Sequence, residues 1–197
     1  MKGCTRNSEV RKKYKKYYNK VNMSPRTRIE SSLYLALLGF FIDKPSYGYE
    51  LYKHISKETS FFKIWYLKQS QFYGFLERLF NEGFLSQKMI EGNQYPDRKL
   101  FSITEAGIEQ LKNWIIIPVK HGRDMRQEFI AKLFIAQNFY KGKIDLLVEN
   151  QKSVCHQWLE EQNNFLIHEK DQFQILLINY RKNQIQAMLD WMTQLNL

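Results

Sequence analysis

Apolar positions recur at spacings of three and four along most of this chain, which predicts helices; two short stretches read instead as strands. Ile29, Leu33, Ala36, Leu37, Phe40 and Phe41 form the first helical stripe, stopped by Asp43-Lys44-Pro45. Ser46 stands where an N-cap belongs, and Leu51 and Ile55 carry a second amphipathic helix through about Glu58. Gly48, in its first turn, costs helix stability, so its expected use is close approach between helices. The connector from Thr59 to Leu67 brings Phe61, Phe62, Ile64 and Trp65, which predicts core aromatics.

A third helix has a dry face of Phe72, Leu76 and Leu79, flanked by Phe75 and Phe80. Its other face carries Gln71, Tyr73, Gly74, Arg78 and Asn81, which have no core to fill. Ser70 can cap this helix, and Gly83 suits the left-handed position just beyond its end. Leu85–Ile90 and Lys99–Ile103 then read as a hairpin, with a turn signal at Gly92-Asn93 and Pro96 before the second strand. Lys88, Arg98 and Lys99 make it basic. Thr104 opens a fourth helix with the dry face Ile108, Leu111 and Ile115, closed by Pro118. This order is that of a winged helix-turn-helix. In that fold the helix before the hairpin enters the major groove, and the wing follows the backbone or minor groove.

The second half is helical throughout. Phe129, Ile130, Leu133, Phe134 and Gln137 make one amphipathic segment. Ile144, Val148, Gln151, Cys155, Trp158, Gln162 and Phe165 make a longer series, and Phe173, Leu177, Tyr180, Gln184, Ala187 and Trp191 another. Both alternate three and four, as coiled-coil seams do. A break near Lys170-Asp171 folds them into a hairpin with more apolar face than one chain buries. That predicts a homodimer through Trp158, Phe165, Phe173, Leu177, Tyr180 and Trp191, with Gln151, Gln162 and Gln184 fixing register. The expected fold is mainly α with a small β-hairpin: a winged helix-turn-helix followed by an α-helical dimerisation domain. Its boundaries are 1–25 for a basic N-terminal extension, 26–119 for the winged helix and 120–197 for the dimerisation domain.

Composition narrows the classes. A hydrophobic share of 44% and an aromatic share of 15% support a packed interior. No apolar run approaches the ~20 residues of a membrane span, and no secretory signal pattern follows the basic start. Cys4 and Cys155 are too far apart in kind and place for a disulfide framework, and a reducing cytoplasm fits them. The net charge of +10 is concentrated in residues 1–28, where ten Lys/Arg face the single acid Glu9. Such an arm, with Tyr14, Tyr17 and Tyr18 interleaved, attracts polyanions without reading sequence. Met23-Ser24-Pro25 reads like a chain start, which would make residues 1–22 an upstream extension.

No catalytic constellation stands out. His54, His121, His156 and His168 lack metal-ligand spacing, and Glu160 and Glu161 are adjacent on a helix and so diverge. Gly39, Gly48 and Gly74 each stand alone, without a phosphate loop. The expectation is a chain that is not an enzyme and has no metal or cofactor. DNA contact has better candidates: Lys68, Ser70, Gln71, Tyr73 and Arg78 on the third helix, and Lys88, Asn93, Gln94, Arg98 and Lys99 in the wing. Gln pairs bidentately with adenine and Arg with guanine, whereas Ser and Tyr more often hold phosphate. Arg78→Ala should therefore lose discrimination and Lys99→Ala should weaken all duplexes alike.

The residues also resemble a known family. Leu37-Leu38-Gly39, the block 45–52 (PSYGYELY), the block 72–79 (FYGFLERL) with 82–85 (EGFL), and the block 96–107 (PDRKLFSITEAG) resemble the PadR family of bacterial transcriptional regulators, in the family's order. Gly74 departs from it, because the family usually has proline after the recognition-helix tyrosine. The block from Arg123 to Glu128 onward resembles the C-terminal domain of the longer PadR proteins, which makes their dimer. The resemblance implies a cytoplasmic dimeric repressor on a palindromic operator of double-stranded DNA. It also implies a small aromatic effector, for which Trp65, Trp114, Trp158 and Trp191 are candidate lining residues set against a core role. A rival reading is a winged-helix module that binds protein without sequence-specific DNA binding, because residues 29–119 hold ten bases against ten acids. Glu77 and Glu82 would have to face away from DNA for the first reading to hold.

Overall fold

A computed structural model describes residues 32–91 and 98–195. The basic arm, Ile29, the Gly92-Asn93 turn and the candidates Asn93 and Gln94 lie outside the described residues.

The first element is a tight 3₁₀ helix over Leu33–Phe41. Leu33 through Gly39 and Phe41 are all buried, so this segment has no solvent face and lies inside the core. Ser46 corrects the expectation of an N-cap: Ser46–Tyr47 is a short strand, β1, and α1 (Gly48–Glu58) begins after it without a side-chain cap. The hairpin is accordingly the larger part of a three-stranded antiparallel sheet of order β1-β3-β2, with β2 Leu85–Ile90 and β3 Arg98–Ile103. Ser46 pairs with Phe101 and Tyr47 with Leu100, while β2 and β3 pair from Leu85–Ile103 to Ile90–Arg98.

The connector carries a one-turn helix α2 (Phe61–Ile64), and Phe61, Trp65 and Leu67 are buried as expected of core residues. Helix α3 (Gln69–Asn81) buries Phe72, Leu76 and Leu79. It ends in a Schellman turn: Gly83 has φ +77° and donates to Phe80 O, while Phe84 donates to Leu79 O. Ser70 is not its cap. Lys68 holds that position, and its N–H donates to Gln71 Oε1 at 3.3 Å. Thr104 does cap α4 (Glu105–Ile116), accepting from Gly107 N at 3.0 Å.

The C-terminal half packs on the same core. Helix α5 (Glu128–Phe139) lies against the opening helix, where a Cβ on Gly39 would come 2.8 Å from Ile135 Cδ1. Phe40 stacks edge-on against Phe61 and Phe139. Helices α6 (Ile144–His168) and α7 (Gln172–Thr193) form the expected hairpin, with Asp171 capping α7 through the N–H groups of Phe173 and Gln174. On α6 the predicted seam is buried at Ile144, Val148, Gln151 and Cys155. Gln151 is not a register device toward a second chain: it accepts from Val119 N at 2.7 Å and donates to Val119 O at 3.4 Å within its own chain. On α7 the inner face is Ile178, Ile185, Leu189 and Met192, so the predicted series Phe173, Tyr180, Gln184, Ala187 and Trp191 faces outward. Two apolar stripes share this helix, and the aliphatic one takes the interior.

Candidate nucleic-acid interface

Helix α3 and the wing lie beside one another on the face that the sequence singled out. Lys68, Ser70, Gln71, Tyr73, Arg78, Lys88, Arg98 and Lys99 are all exposed. A Cβ at Gly74 would meet nothing within 4 Å, so the middle of the face is open. Gly48 permits close approach, but to α3: a Cβ there would lie 2.7 Å from Tyr73 Cε1. The small residue therefore seats the tyrosine ring on α1.

The basic groups differ in what already holds them. Lys68 and Lys88 have no ion pair among the described residues. Lys99 Nζ meets Glu77 Oε1 at 2.7 Å, which ties β3 to α3. Arg98 stands 4.0 Å from Glu50 and lies over the Tyr47 ring at 4.6 Å. Arg78 pairs with Glu82 at 2.8 Å and sits 4.0 Å over the Tyr34 ring. To reach a base edge, Arg78 would have to leave both partners. Glu77 and Glu82 are each turned onto a basic neighbour, which lowers the local cost of acids on this face.

Tyr34 completes the Arg78 cluster, a link that sequence reasoning missed. Its hydroxyl donates to Glu82 Oε2 at 2.7 Å. Burial first, and then Glu82, push its phenol up to about 12 from 10.0. The neutral phenol is thus favoured in the fold, and its contribution is fully present below pH 10 and lost as pH rises through about 12. The stability advantage of wild type over Tyr34→Phe should shrink by about 1 kcal/mol between pH 8 and pH 11 in urea titrations. An advantage that stays constant would mean that the phenol is not held this way.

Lys132 was also missed in the sequence. It stands within an apolar run of α5 yet is 1% exposed. Its Nζ donates to Ile117 O at 2.6 Å, pairs with Glu128 at 3.0 Å and lies 5.0 Å over Trp114. Burial pushes its ammonium below the ordinary lysine value, against the pull of Glu128. The signal available was the i,i+4 pairing with Glu128.

Of the four tryptophans, Trp65 and Trp114 are core, Trp158 is half-buried and Trp191 is the most open. Cys155 is fully buried, and burial pushes its thiol up, as suits a small core residue. Among the described residues no His/Cys/Asp/Glu group could hold a metal, and no helix is long and apolar enough to cross a membrane.

Residues 35–113, the segment from the opening helix through α4, match the transcriptional regulator PadR-like family. That match spans 79 of the 197 residues. The negative transcriptional regulator PadR of Bacillus subtilis (strain 168) is 28% identical over 117 residues, spanning 59% of this chain and 63% of that protein. A crystal structure of Bacillus subtilis PadR in complex with operator DNA is 18% identical, covering 83% of this chain and 97% of that one with a TM-score of 0.43. The same protein in complex with p-coumaric acid is 19% identical, covering 82% and 95%, with a TM-score of 0.39. The matching family and the Bacillus subtilis relative are both described as transcriptional regulators.

Proposed function

We propose that this PadR-like chain is a sequence-specific DNA-binding repressor that works in the cytoplasm as a homodimer. The observation that carries this reading is the exposed, hydrogen-bonding face of α3 beside a basic wing, in a domain of a transcriptional-regulator family. Ser70, Gln71 and Tyr73 lie in the first turns of α3, where a recognition helix meets base edges and phosphates. Lys68 and Lys88 supply backbone attraction, joined by Arg98 and Lys99 once their carboxylate partners yield.

The domain division follows the same logic: winged helix over 26–119, dimerisation over 120–197 and a basic arm over 1–25. Phe165, Phe173 and Tyr180 are exposed near the hairpin tip, with Ile167 and Leu176 beside them; Trp158 and Leu177 are half-buried, and Trp191 is exposed farther along α7. A second copy covering this apolar surface would set two α3 helices about one DNA turn (~34 Å) apart on a palindromic operator. Repression would follow by occlusion of the promoter. A small aromatic acid is the proposed class of effector, supported by the relative that carries p-coumaric acid in its crystal structure. Such a ligand releases DNA only if it prefers the non-binding conformer.

Selection of duplexes from a random library, at low and near-physiological salt, tests this. An inverted repeat surviving the higher salt is the expected result. Gln71→Ala should then lose about ten-fold or more in discrimination at one base position of that repeat, while Lys88→Ala weakens all duplexes alike. Recovery of unselective DNA alone, vanishing with salt, would leave only the arm as binder and return the protein-binding module as the better reading.

A further inference from the structure

The contact between Lys99 and Glu77 joins two elements that a winged helix uses separately. The pleat places Lys99 on the same side of β3 as buried Phe101, the side that faces the helices, and places Lys88, paired opposite Leu100, on the other. Lys99 therefore lies between wing and recognition helix. There it meets the Glu77 carboxylate at 2.7 Å across 22 residues of sequence. Lys88 has no such partner among the described residues. The oxygen on Lys99 is chemically what a phosphate would offer it: an anionic acceptor for a charge-assisted hydrogen bond.

We propose that Glu77 is a positioning residue that stands in for phosphate, clasping Lys99 of the wing to α3 until DNA displaces it. The clasp keeps the wing set against the recognition helix in the free protein. It also neutralises a charge that would otherwise attract any duplex. Seating on DNA exchanges the carboxylate for a backbone phosphate and frees Glu77 to be solvated. Binding is thereby restrained in proportion to how well the wing is seated, which penalises loose, non-specific encounters. This rests on the DNA-binding reading above.

Two measurements on the full chain test it. Acetic anhydride labelling read by mass spectrometry, without DNA, should modify Lys99 more slowly than Lys88, and Glu77→Gln should abolish that difference. In anisotropy titrations with a labelled random duplex, Glu77→Gln should bind about three-fold tighter. Its plot of log affinity against log salt should steepen by about 0.9, one phosphate contact's worth of released counterion. In a Lys99→Met background both effects of Glu77→Gln should disappear. A gain that persists without Lys99 means general charge repulsion and overturns the clasp, as does unchanged affinity or unchanged labelling. Wild type that binds no duplex overturns the DNA-binding reading itself, whatever the labelling shows.

Discussion

Lys132→Ala is expected to lower the unfolding free energy by about 3–5 kcal/mol in urea titrations, the largest effect of any single substitution considered. The side chain is 1% exposed and meets Ile117 O, Glu128 and the Trp114 ring. Its removal leaves a buried carbonyl and a half-buried carboxylate without their donor, and a cavity beside an indole whose own Nε1 has no partner among the described residues. Lys132→Met keeps the stem and should lose less. Adding Glu128→Leu to Lys132→Met should restore part of the loss, because the stranded carboxylate is then gone. If Lys132→Ala and Lys132→Met are equally mild, the polar contacts are not what holds this junction.

Gly107→Ala should cost about 2–3 kcal/mol, although alanine is the better helix former by about 1 kcal/mol. A Cβ at Gly107 would run into the Phe84 carbonyl, with Ile103 Cγ1 at 3.0 Å. That carbonyl cannot retreat freely, because it already accepts from Thr104 N at 3.1 Å and Thr104 Oγ1 at 3.2 Å. The clash is therefore with backbone at the base of the wing. A stabilised Gly107→Ala protein would show that α4 does not approach the wing this closely. Urea midpoints of the two proteins decide the sign.

These positions also show how far the sequence could be read. Thr104 and Gly83 were legible because a cap and a left-handed turn demand particular residues at particular places. The dry face of α3 was legible because one apolar stripe competes with no other. Helix α7 carries two stripes, and periodicity cannot rank Ile178, Ile185 and Leu189 above Phe173, Tyr180 and Trp191. Ser46 failed as a cap because a two-residue strand is decided by its partners Phe101 and Leu100, which lie over fifty residues away. The opening segment has apolar residues all round, which erases the signal separating one helix type from another. At the candidate interface, the exposed bases could be named from sequence, but their existing partners could not. Arg78 with Tyr34 and Glu82, and Lys99 with Glu77, are long-range pairings that only the fold brings together.

The junction after α4 has a mechanical meaning. Asn150 donates to Ile116 O, Lys132 to Ile117 O, and Gln151 brackets both the N–H and the C=O of Val119. Pro118, between them, has no N–H to satisfy. Consecutive backbone groups are thus bolted to α5 and α6 by side chains, which makes this short stretch a welded joint. Helix α6, at 25 residues, is a rod of about 37 Å. A push applied at its far end near His168 is not absorbed as bending at the weld. It arrives at the C-terminal end of α4 as rotation, with the rod as its lever arm.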